Sequence, residues 1–591
     1  MSDELRRARF RQAILFLLIS ASMIAVTGRL AYWQIGQQSA LTLRADQEHK
    51  RPFIVPAGRG SIYDSNGKLL AITLTEDAVE ADPQAIQQED SEHPGTLAQT
   101  LEQVSMILGI PADVLRPQLL LAQNRRLLTF TYLRDAAGSK IHTTRQQSTQ
   151  INQLLSQNQL WGISLLPESQ RLYVEGNLAA QVLGFVQQDA GDGQYGLEKY
   201  YNTLLAGQPG KLFAETDVDG NPLAIGDRIW QPPVNGADLT LTIDANVQWT
   251  VEQMLHDTIV RHQADGGSVI IVNPNTGAII AMASEPRFDP NQYSAVSSYD
   301  LFLNPVTSDV YDPGSTMKAI TMAAGIDLQL ITPDTTFTDP GYYLVDGTLI
   351  HNFNDTNYGL ETMTQVLQHS ANVGAIWVAL QKLHQNNFYH YLDQFGFGVP
   401  TGVDLPTESP GLLPMPAERT DLTLAENSFG ESMAVTPLQM VMAYAALANG
   451  GLLMRPYTVD SATQNGHLTS FRPQPVRQAV SPTTAQIITH MLVQSATNGE
   501  AQLALVPGYQ IAVKTGTSTP QSDPTAYTYA SVAGYAPASN PQFVMLVKID
   551  HPRAPIFGGL VAAPLWHDIA TWLFHYFRIL PDQPVGNEQQ A

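Results

Sequence analysis

Three short motifs in the second half of the chain contain residues that could catalyse acyl transfer. The first is Ser315-Thr-Met-Lys318, which follows Asp312-Pro-Gly and leads into an apolar run. On a helix, Ser315 and Lys318 lie one turn apart, and the lysine can take the serine proton if burial or a nearby cation lowers the lysine pKa. The helix N-terminus would direct backbone N–H groups at a developing oxyanion. This motif predicts a serine nucleophile with a lysine base.

The second motif is Ser370-Ala-Asn372, which lies between two runs with helical spacing, Glu361–His369 and Val373–Leu383. A short loop between two helices can point a hydroxyl and an amide into a cleft. We therefore expect Ser370 and Asn372 to face a cleft.

The third motif is Lys514-Thr515-Gly516-Thr517, which follows the alternating run Tyr509–Val513. The alternation predicts a strand that Lys514 ends, with its side chain facing away from the apolar side. The lysine and the two threonine hydroxyls could bind an anionic carboxylate, and Gly516 would let a ligand approach the backbone closely.

Each motif alone also fits an ordinary structural role. Ser315 could be a helix N-cap, and Lys514 could lie on an exposed edge strand. A second S-x-x-K occurs at Ser65-Asn-Gly-Lys68, and a second S-x-N at Ser156-Gln-Asn158. Because Asn-Gly favours a tight turn, Ser65 and Lys68 are not expected on one helical face.

The elements around the three motifs indicate an α+β domain. Ser268–Val272 and Gly277–Ala283 are predicted to form a hairpin, and strands Ala530–Tyr535 and Phe543–Ile549 follow the third motif. Strands at both ends with helices between them predict an antiparallel sheet with a helical insert. We place this domain at residues 237–580, followed by a polar tail at 581–591.

The N-terminal region indicates a membrane anchor. The apolar run from Ala13 to Ile35 would be about 34 Å long as a helix, enough to span a bilayer. Four arginines precede it, which predicts a cytoplasmic tail at residues 1–12 and an extracytoplasmic remainder. A cleaved signal peptide is the alternative, although the apolar run continues past the small residues Ser20–Ser22. Residues 36–236 are loosely patterned, with short alternating runs, and form a separate region between the anchor and the α+β domain.

The composition of the 591-residue chain excludes other functions. Its net charge of −22 argues against nucleic-acid binding. It has no cysteine, which removes disulfides, thiol catalysis and cysteine-bound zinc. The 14 histidines show no convincing metal-ligand spacing, so we predict neither a metal nor another cofactor.

In this order, with gaps of 55 and 144 residues, the three motifs resemble those of the class B penicillin-binding proteins. Arg59–Asp64 and Gly196-Leu-Glu198 are similar to signatures of that family's pedestal, so the resemblance implies that residues 36–236 form a β-rich pedestal domain. The chain departs from the family pattern by Ser65 in place of Arg, Asp312 in place of Glu, and Pro305 in place of Arg. None of these changes removes a catalytic group.

The resemblance implies a peptidoglycan D,D-transpeptidase with a five-stranded antiparallel sheet and without an attached glycosyltransferase domain. Ser315 would attack the penultimate D-Ala of a stem peptide, Lys318 would be the base, and Ser370 would relay a proton. Asn372 would orient the substrate amide. The terminal carboxylate would bind at Lys514, Thr515, Gly516 and Thr517, and the backbone N–H groups of Ser315 and Thr517 would form the oxyanion hole. β-Lactams would acylate the same serine.

The resemblance also implies a location and partners: the bacterial inner membrane, a polytopic SEDS-type lipid II polymerase, and other divisome or elongasome proteins. The pedestal pattern favours division over elongation, while the acceptor amine stays open. The alternatives are a non-catalytic scaffold or a β-lactam sensor with the same fold. A serine esterase is a further alternative, because Gly430-Glu-Ser432-Met-Ala434 nearly matches G-x-S-x-G.

Overall fold

The computed structural model describes residues 2–38, 50–120, 131–136, 138–187, 191–215, 228–519 and 528–583. The chain divides into two units, residues 1–58 with 207–236 and residues 59–206 with 237–591. The smaller unit contains the helix Ser2–Ala31, which continues as the wider turn Tyr32–Gly36. It also contains a three-stranded antiparallel sheet in which Gly210–Glu215 is central, between Lys50–Val55 and Arg228–Gln231.

The N-terminal helix has the length and composition of a membrane span. Within the described residues, Arg6–Gly36 is the one helix that is long and apolar enough to cross a bilayer. Its large apolar side chains, such as Phe16 and Ile24, are exposed, as expected for side chains that contact lipid. The helix contains the whole predicted anchor, residues 13–35.

The first part of the larger unit is organised around one long antiparallel strand pair, Leu69–Ala81 with Ile163–Tyr173. The same eight-stranded sheet contains strands from later in the chain, of which Asp238–Leu241 pairs with the segment around residue 62. Its other strands are Ile62–Tyr63, Thr131–Tyr132, His142–Thr143, Asp238–Leu241, Val459–Gln464 and His467–Ser470. Helices and short strands complete this part: Pro83–Glu92, Thr96–Leu108, Ala112–Leu120, Arg145–Ser156, Ala180–Leu183, Phe185–Val186, Gly193–Gln194, Gly196–Tyr200 and Asn202–Ala206.

A buried ion cluster joins the two pedestal signatures recognised in the sequence. The carboxylate of Glu198 is fully buried and accepts hydrogen bonds from the guanidinium groups of Arg59, at 2.8 Å, and Arg171, at 2.7 Å. Tyr173 donates to the same carboxylate at 3.3 Å. Two arginines around one carboxylate satisfy a charge that would otherwise be costly to bury.

A five-stranded antiparallel sheet forms the centre of the larger unit. We label its strands β1 (Gly266–Val272), β2 (Ile279–Glu285), β3 (Ala512–Ser518), β4 (Tyr529–Ala536) and β5 (Phe543–Asp550), and their order is β2-β1-β5-β4-β3. Alternate residues enter two separate cores, one on each face of the sheet. Because both faces are covered, the central strands are apolar along their length rather than alternating. The predicted α+β class, hairpin and five-stranded sheet are confirmed.

Helices cover both faces of this sheet and position the three motifs. We label five of them α1 (Lys318–Asp327), α2 (Met363–Gln368), α3 (Asn372–Val378), α4 (Pro482–Asn498) and α5 (Gly558–Tyr576). The helix Ala245–His262 packs with α5 on one face, and α1 lies with Pro437–Ala448 on the other. The remaining elements are Pro290–Ala295, Tyr299–Phe302, Pro305–Ser308, Gly314–Met317, Thr336–Asp339, Tyr342–Val345, Thr348–His351, Phe353–Asp355, Gly359–Thr362, Ala379–Leu383, His384–Gln394, Pro416–Glu418, Asp421–Ser428, Leu452–Met454, Pro475–Gln478 and Gln502–Ala504.

Two local predictions around the motifs were wrong. Lys514 does not end a strand, because β3 begins at Ala512 and its ladder with β4 continues through the K-T-G-T segment to Ser518. Glu361 lies on the strand Gly359–Thr362 rather than on a helix. Helix α2 begins only at Met363, where Thr362 and Gln365 form a capping box.

The buried ion cluster predicts a large effect on stability. Replacing Glu198 with Ala leaves two buried guanidinium groups without their carboxylate, so we expect a loss of about 3–5 kcal/mol in the free energy of unfolding. The control is Glu175→Ala, which breaks the exposed pair with Lys68 and should cost at most about 1 kcal/mol. Equal losses in the two variants, measured by denaturant unfolding, would contradict this account.

Candidate active site

The predicted nucleophile lies in a tight turn against the outermost strand of the sheet. Ser315 belongs to the short 3₁₀ turn Gly314–Met317, which leads directly into α1. Gly314 has a φ of 56°, and a Cβ at this position would lie 2.7 Å from the carbonyl oxygen of Thr517 on β3. Glycine is therefore required here, and it brings the partly exposed Ser315 next to the K-T-G segment.

The amine of Lys318 is at the centre of the site. Lys318 is fully buried, and its Nζ lies 3.0 Å from Ser315 Oγ, 2.5 Å from the carbonyl oxygen of Ser370 and 2.7 Å from Asn372 Oδ1. A neutral amine has two N–H groups and one lone pair. If the two N–H groups are donated to the two carbonyl oxygens, the lone pair can accept the proton of Ser315.

The surroundings of Lys318 favour this neutral form. Burial lowers the pKa of Lys318 well below its usual value, and the charge of Lys514 lowers this pKa further. Glu500 and Glu431 act in the opposite direction but do not reverse the shift. The base predicted from the sequence therefore has both the geometry and the electrostatic environment for its task.

The backbone of Ser370 adopts a conformation that is unusual for serine. Its φ is 55°, and it occupies the position after α2 where the chain turns out of the helix. Ser370 N–H bonds to the carbonyl of Leu367, and Ala371 N–H bonds to that of Val366, which is the Schellman pattern. Glycine is favoured at this position, so a serine here costs roughly 1–3 kcal/mol. In this position Ser370 presents both its hydroxyl and its carbonyl to the lysines.

The K-T-G segment contributes a second buried amine. Lys514 Nζ lies 3.0 Å from Ser370 Oγ, so this hydroxyl bridges the two lysines, at 3.3 Å from Lys318 Nζ. Burial also lowers the pKa of Lys514, against the charge of Glu500. Thr515 donates to Glu500 at 3.3 Å, and Thr517 Oγ1 accepts from the backbone N–H of Gly558 at 3.0 Å.

Gly516 is also required for close packing within the protein, in addition to the ligand approach that the sequence predicts. A Cβ on Gly516 would lie 2.5 Å from Ser531 Oγ, 2.8 Å from the Pro313 carbonyl and 3.0 Å from Thr316 Cγ2. The close neighbours of this glycine are thus the turn before Ser315 and strand β4. Glycine at this position lets β3 pack tightly against the nucleophile turn.

A cavity of about 500 Å³ opens onto these groups. Ser315, Ser370, Asn372, Thr515 and Thr517 line it, while the two lysines lie buried behind them. The structure therefore brings the predicted site residues together. Other lining residues were not recognised from the sequence: His351, Asn352, Phe353, Phe429, Glu431, Glu500, Thr519, Thr528, Ile556, Phe557 and Leu560.

The two competing serines have other surroundings. Ser65 begins a turn in which Asp64 accepts from the backbone N–H groups of Asn66 and Lys68, and Lys68 pairs with Glu175. Ser432 donates to Glu426 at 2.5 Å, rather than to a histidine as an esterase triad requires. Among the described residues, no three His, Asp or Glu side chains are grouped as metal ligands.

The fold and the site define a serine acyltransferase of the penicillin-binding class. Residues 267–571 match the family model described as penicillin binding protein transpeptidase domain, and residues 54–241 match the penicillin-binding protein dimerisation domain. The chain belongs to the class B penicillin-binding proteins and is a peptidoglycan D,D-transpeptidase. This family binds peptidoglycan stem peptides and β-lactams.

Individual relatives are similar along almost the whole chain. The probable peptidoglycan D,D-transpeptidase PbpC of Pseudomonas aeruginosa is 32% identical, with 98% of this chain and 97% of the relative covered. Peptidoglycan D,D-transpeptidase FtsI of Escherichia coli is 29% identical, with 97% and 93% covered. The crystal structure of penicillin-binding protein 3 from Mycobacterium tuberculosis with aztreonam has a TM-score of 0.67 at 27% identity, over 90% of this chain and 99% of that one. With its N-terminal apolar helix, the chain is a single-pass membrane protein.

Two substitutions of Ser370 can separate the backbone strain, which affects stability, from the hydroxyl, which affects reactivity. Ser370→Gly and Ser370→Ala both remove the hydroxyl, so both should lower acylation by a fluorescent penicillin about 10- to 100-fold. Only glycine relieves the positive φ, so Ser370→Gly should be about 1 kcal/mol more stable than Ser370→Ala. An alanine variant that unfolds at higher denaturant concentration than the glycine variant would contradict the strain assignment.

Proposed function

We propose that Ser315, Lys318 and Ser370 perform the chemistry of this transpeptidase, while Asn372, Lys514, Thr515, Gly516 and Thr517 bind its substrate. The observation that carries this proposal is the set of contacts made by Lys318 Nζ, which joins the nucleophile to the S-x-N loop within 3.0 Å. The depressed pKa of Lys318 supports its role as the base.

The reaction follows from these contacts. Ser315 Oγ attacks the carbonyl carbon of the penultimate D-Ala and passes its proton to neutral Lys318 Nζ. The bond to the terminal D-Ala then breaks, and the leaving amine takes that proton through Ser370 Oγ, which lies between the two lysines. The amine of a second stem peptide attacks the acyl-serine, forms the cross-linking amide and returns a proton to Ser315.

The remaining residues are assigned to substrate binding. Lys514 and the hydroxyls of Thr515 and Thr517 would hold the terminal carboxylate, because the two threonines line the same cavity as Ser315 and the amine of Lys514 lies behind them. Asn372 would hold the substrate amide. The backbone N–H groups of Ser315 and Thr517 would form the oxyanion hole, which the close approach of Gly314 to Thr517 supports.

We also propose the location, organisation and partners of the chain. A cytoplasmic tail of residues 1–12 and an anchor at residues 13–35 would place the pedestal, 36–236, and the transpeptidase domain, 237–580, outside the cytoplasm of a bacterial cell, followed by the tail 581–591. The basic residues before the apolar helix support this orientation. Similarity to FtsI supports a role in division, with a SEDS-type polymerase and other divisome proteins as membrane partners.

The position of the covalent adduct tests the assignment of the nucleophile. A fluorescent penicillin should label the wild type and Ser65→Ala alike, because Ser65 lies in a turn outside the cavity. Ser315→Ala should abolish labelling, and Lys318→Ala should slow it by several orders of magnitude, since the two groups act as a unit. If mass spectrometry finds the adduct on a peptide without Ser315, the assignment of the nucleophile is wrong. A second assay separates an enzyme from a scaffold: a labelled protein that never turns over a D-Ala-D-Ala or thioester substrate would be a scaffold.

The pH dependence of acylation tests the base. The rate constant should stay near its maximum well below the usual lysine pKa of 10.5 and should fall at lower pH, where Lys318 gains a proton. Lys514→Met removes a neighbouring positive charge, which raises the pKa of Lys318 and moves the acid limb to higher pH. Glu500→Gln removes a negative charge and should move it to lower pH. Shifts in the same direction would exclude Lys318 as the titrating base.

A further inference from the structure

A buried carboxylate lies behind the S-x-N loop and outside the reaction described above. Glu361 is 1% exposed, and its Oε1 lies 2.5 Å from Nδ1 of His369, the residue that precedes Ser370. Burial raises the pKa of Glu361, while its contact with His369 opposes this shift. The 2.5 Å separation of these two atoms indicates a strong hydrogen bond on the buried carboxylate, while the side chain of His369 is 37% exposed.

This contact acts at the position where the chain leaves α2. His369 is the C-cap of the helix, and its N–H bonds to the carbonyl of Gln365 at 2.8 Å. Its ring is also stacked on Tyr358, with centroids 4.5 Å apart and planes inclined by 14°. Glu361 therefore contacts an edge of the His369 ring and Tyr358 contacts its face, immediately before the strained Ser370.

The other end of the loop is held by Asn352 and Asp339, and the charge of Asp339 also contributes to the raised pKa of Glu361. Asn352 accepts from the backbone N–H of Val373 at 3.0 Å and donates to the fully buried Asp339 at 2.7 Å. Fixing only one end would leave the loop free to rotate about Ser370. The contact between Glu361 and His369 supplies the second fixed point.

The atoms between these two fixed points are those that Lys318 needs. The carbonyl of Ser370 lies 2.5 Å from Lys318 Nζ, and relaxation of the positive φ would turn this carbonyl away from the amine. Lys318 would then have an N–H group without its acceptor and a lone pair that no longer faces Ser315. A displacement of about 1 Å at such a site can lower a rate 100-fold.

We propose that Glu361 and His369 are positioning residues that hold Ser370 in its left-handed conformation and thereby orient Lys318 for acylation. Glu361 and His369 are not among the residues that line the cavity, and they act through the backbone of the S-x-N loop. This inference rests on the proposed roles of Ser315, Lys318 and Ser370.

The test separates reactivity from binding in the full-length protein in detergent. Stopped-flow labelling with a fluorescent penicillin gives the dissociation constant of the first complex and the rate constant for acylation within it. His369→Ala should lower the acylation rate constant about 10- to 100-fold while the dissociation constant changes less than about twofold. Glu361→Gln, which keeps an acceptor but loses the charge, should show a smaller loss in the same constant.

A conservative variant and a matched control complete the design. His369→Asn places an amide N–H at the position of Nδ1, so it should restore most of the rate lost in His369→Ala. His256 forms a similar contact, 3.2 Å from Glu285, with a side chain 45% exposed against 37% for His369. Because His256 lies on the helix Ala245–His262 and not beside the S-x-N loop, His256→Ala should leave both constants within about twofold of the wild type.

Each outcome has a defined meaning. The inference is overturned if His369→Ala acylates at the wild-type rate, or if its binding constant alone changes. It is also overturned if His369→Asn is as slow as His369→Ala while both have the wild-type unfolding midpoint. If His369→Ala does not fold, Glu361→Gln decides: a wild-type rate constant there rejects the proposal. An adduct on a serine other than Ser315 in the wild type would instead reject the proposed function.

Discussion

The burial of one lysine amine is the constraint on which the site depends. An amine that is protonated in water can act as a base at neutral pH only if the protein makes its charged form costly. The fold does this by enclosing Lys318 completely and placing a second lysine nearby. The same burial requires that every polar atom of the amine has a partner, and these partners come from segments that are far apart in sequence.

Bringing these segments together explains several local features that are otherwise unexpected. The nucleophile turn and β3 can approach closely only because Gly314 and Gly516 carry no side chain. The S-x-N loop supplies its carbonyl and hydroxyl only because Ser370 accepts a conformation that favours glycine. Strain at one residue and missing side chains at two others therefore serve the same purpose, which is to position the groups around the amine.

Much of this arrangement could be predicted from the sequence, because its strongest signals are local. The order and spacing of the three motifs predicted eight site residues, five of which line one cavity in the structure, and the apolar strands around them predicted the sheet. The error at Lys514 has a physical cause: the polar K-T-G-T segment lacks an apolar alternation but still pairs fully with β4. Glu361 and Asn352 carry no local signal at all, since their partners lie 8 and 21 residues away and are defined only by tertiary packing.

The conformation of Ser370 has a consequence for how this enzyme can evolve. Glycine would fit the backbone but has no hydroxyl, and threonine would keep the hydroxyl but adds a branched Cβ that a left-handed backbone disfavours. Few substitutions satisfy both demands, so, given the role proposed for Ser370, we expect most substitutions selected by antibiotics at this position to lower cross-linking as well. We expect adaptive substitutions instead at the exposed residues that line the cavity, such as Phe353, Phe557 and Leu560, which have no comparable backbone constraint.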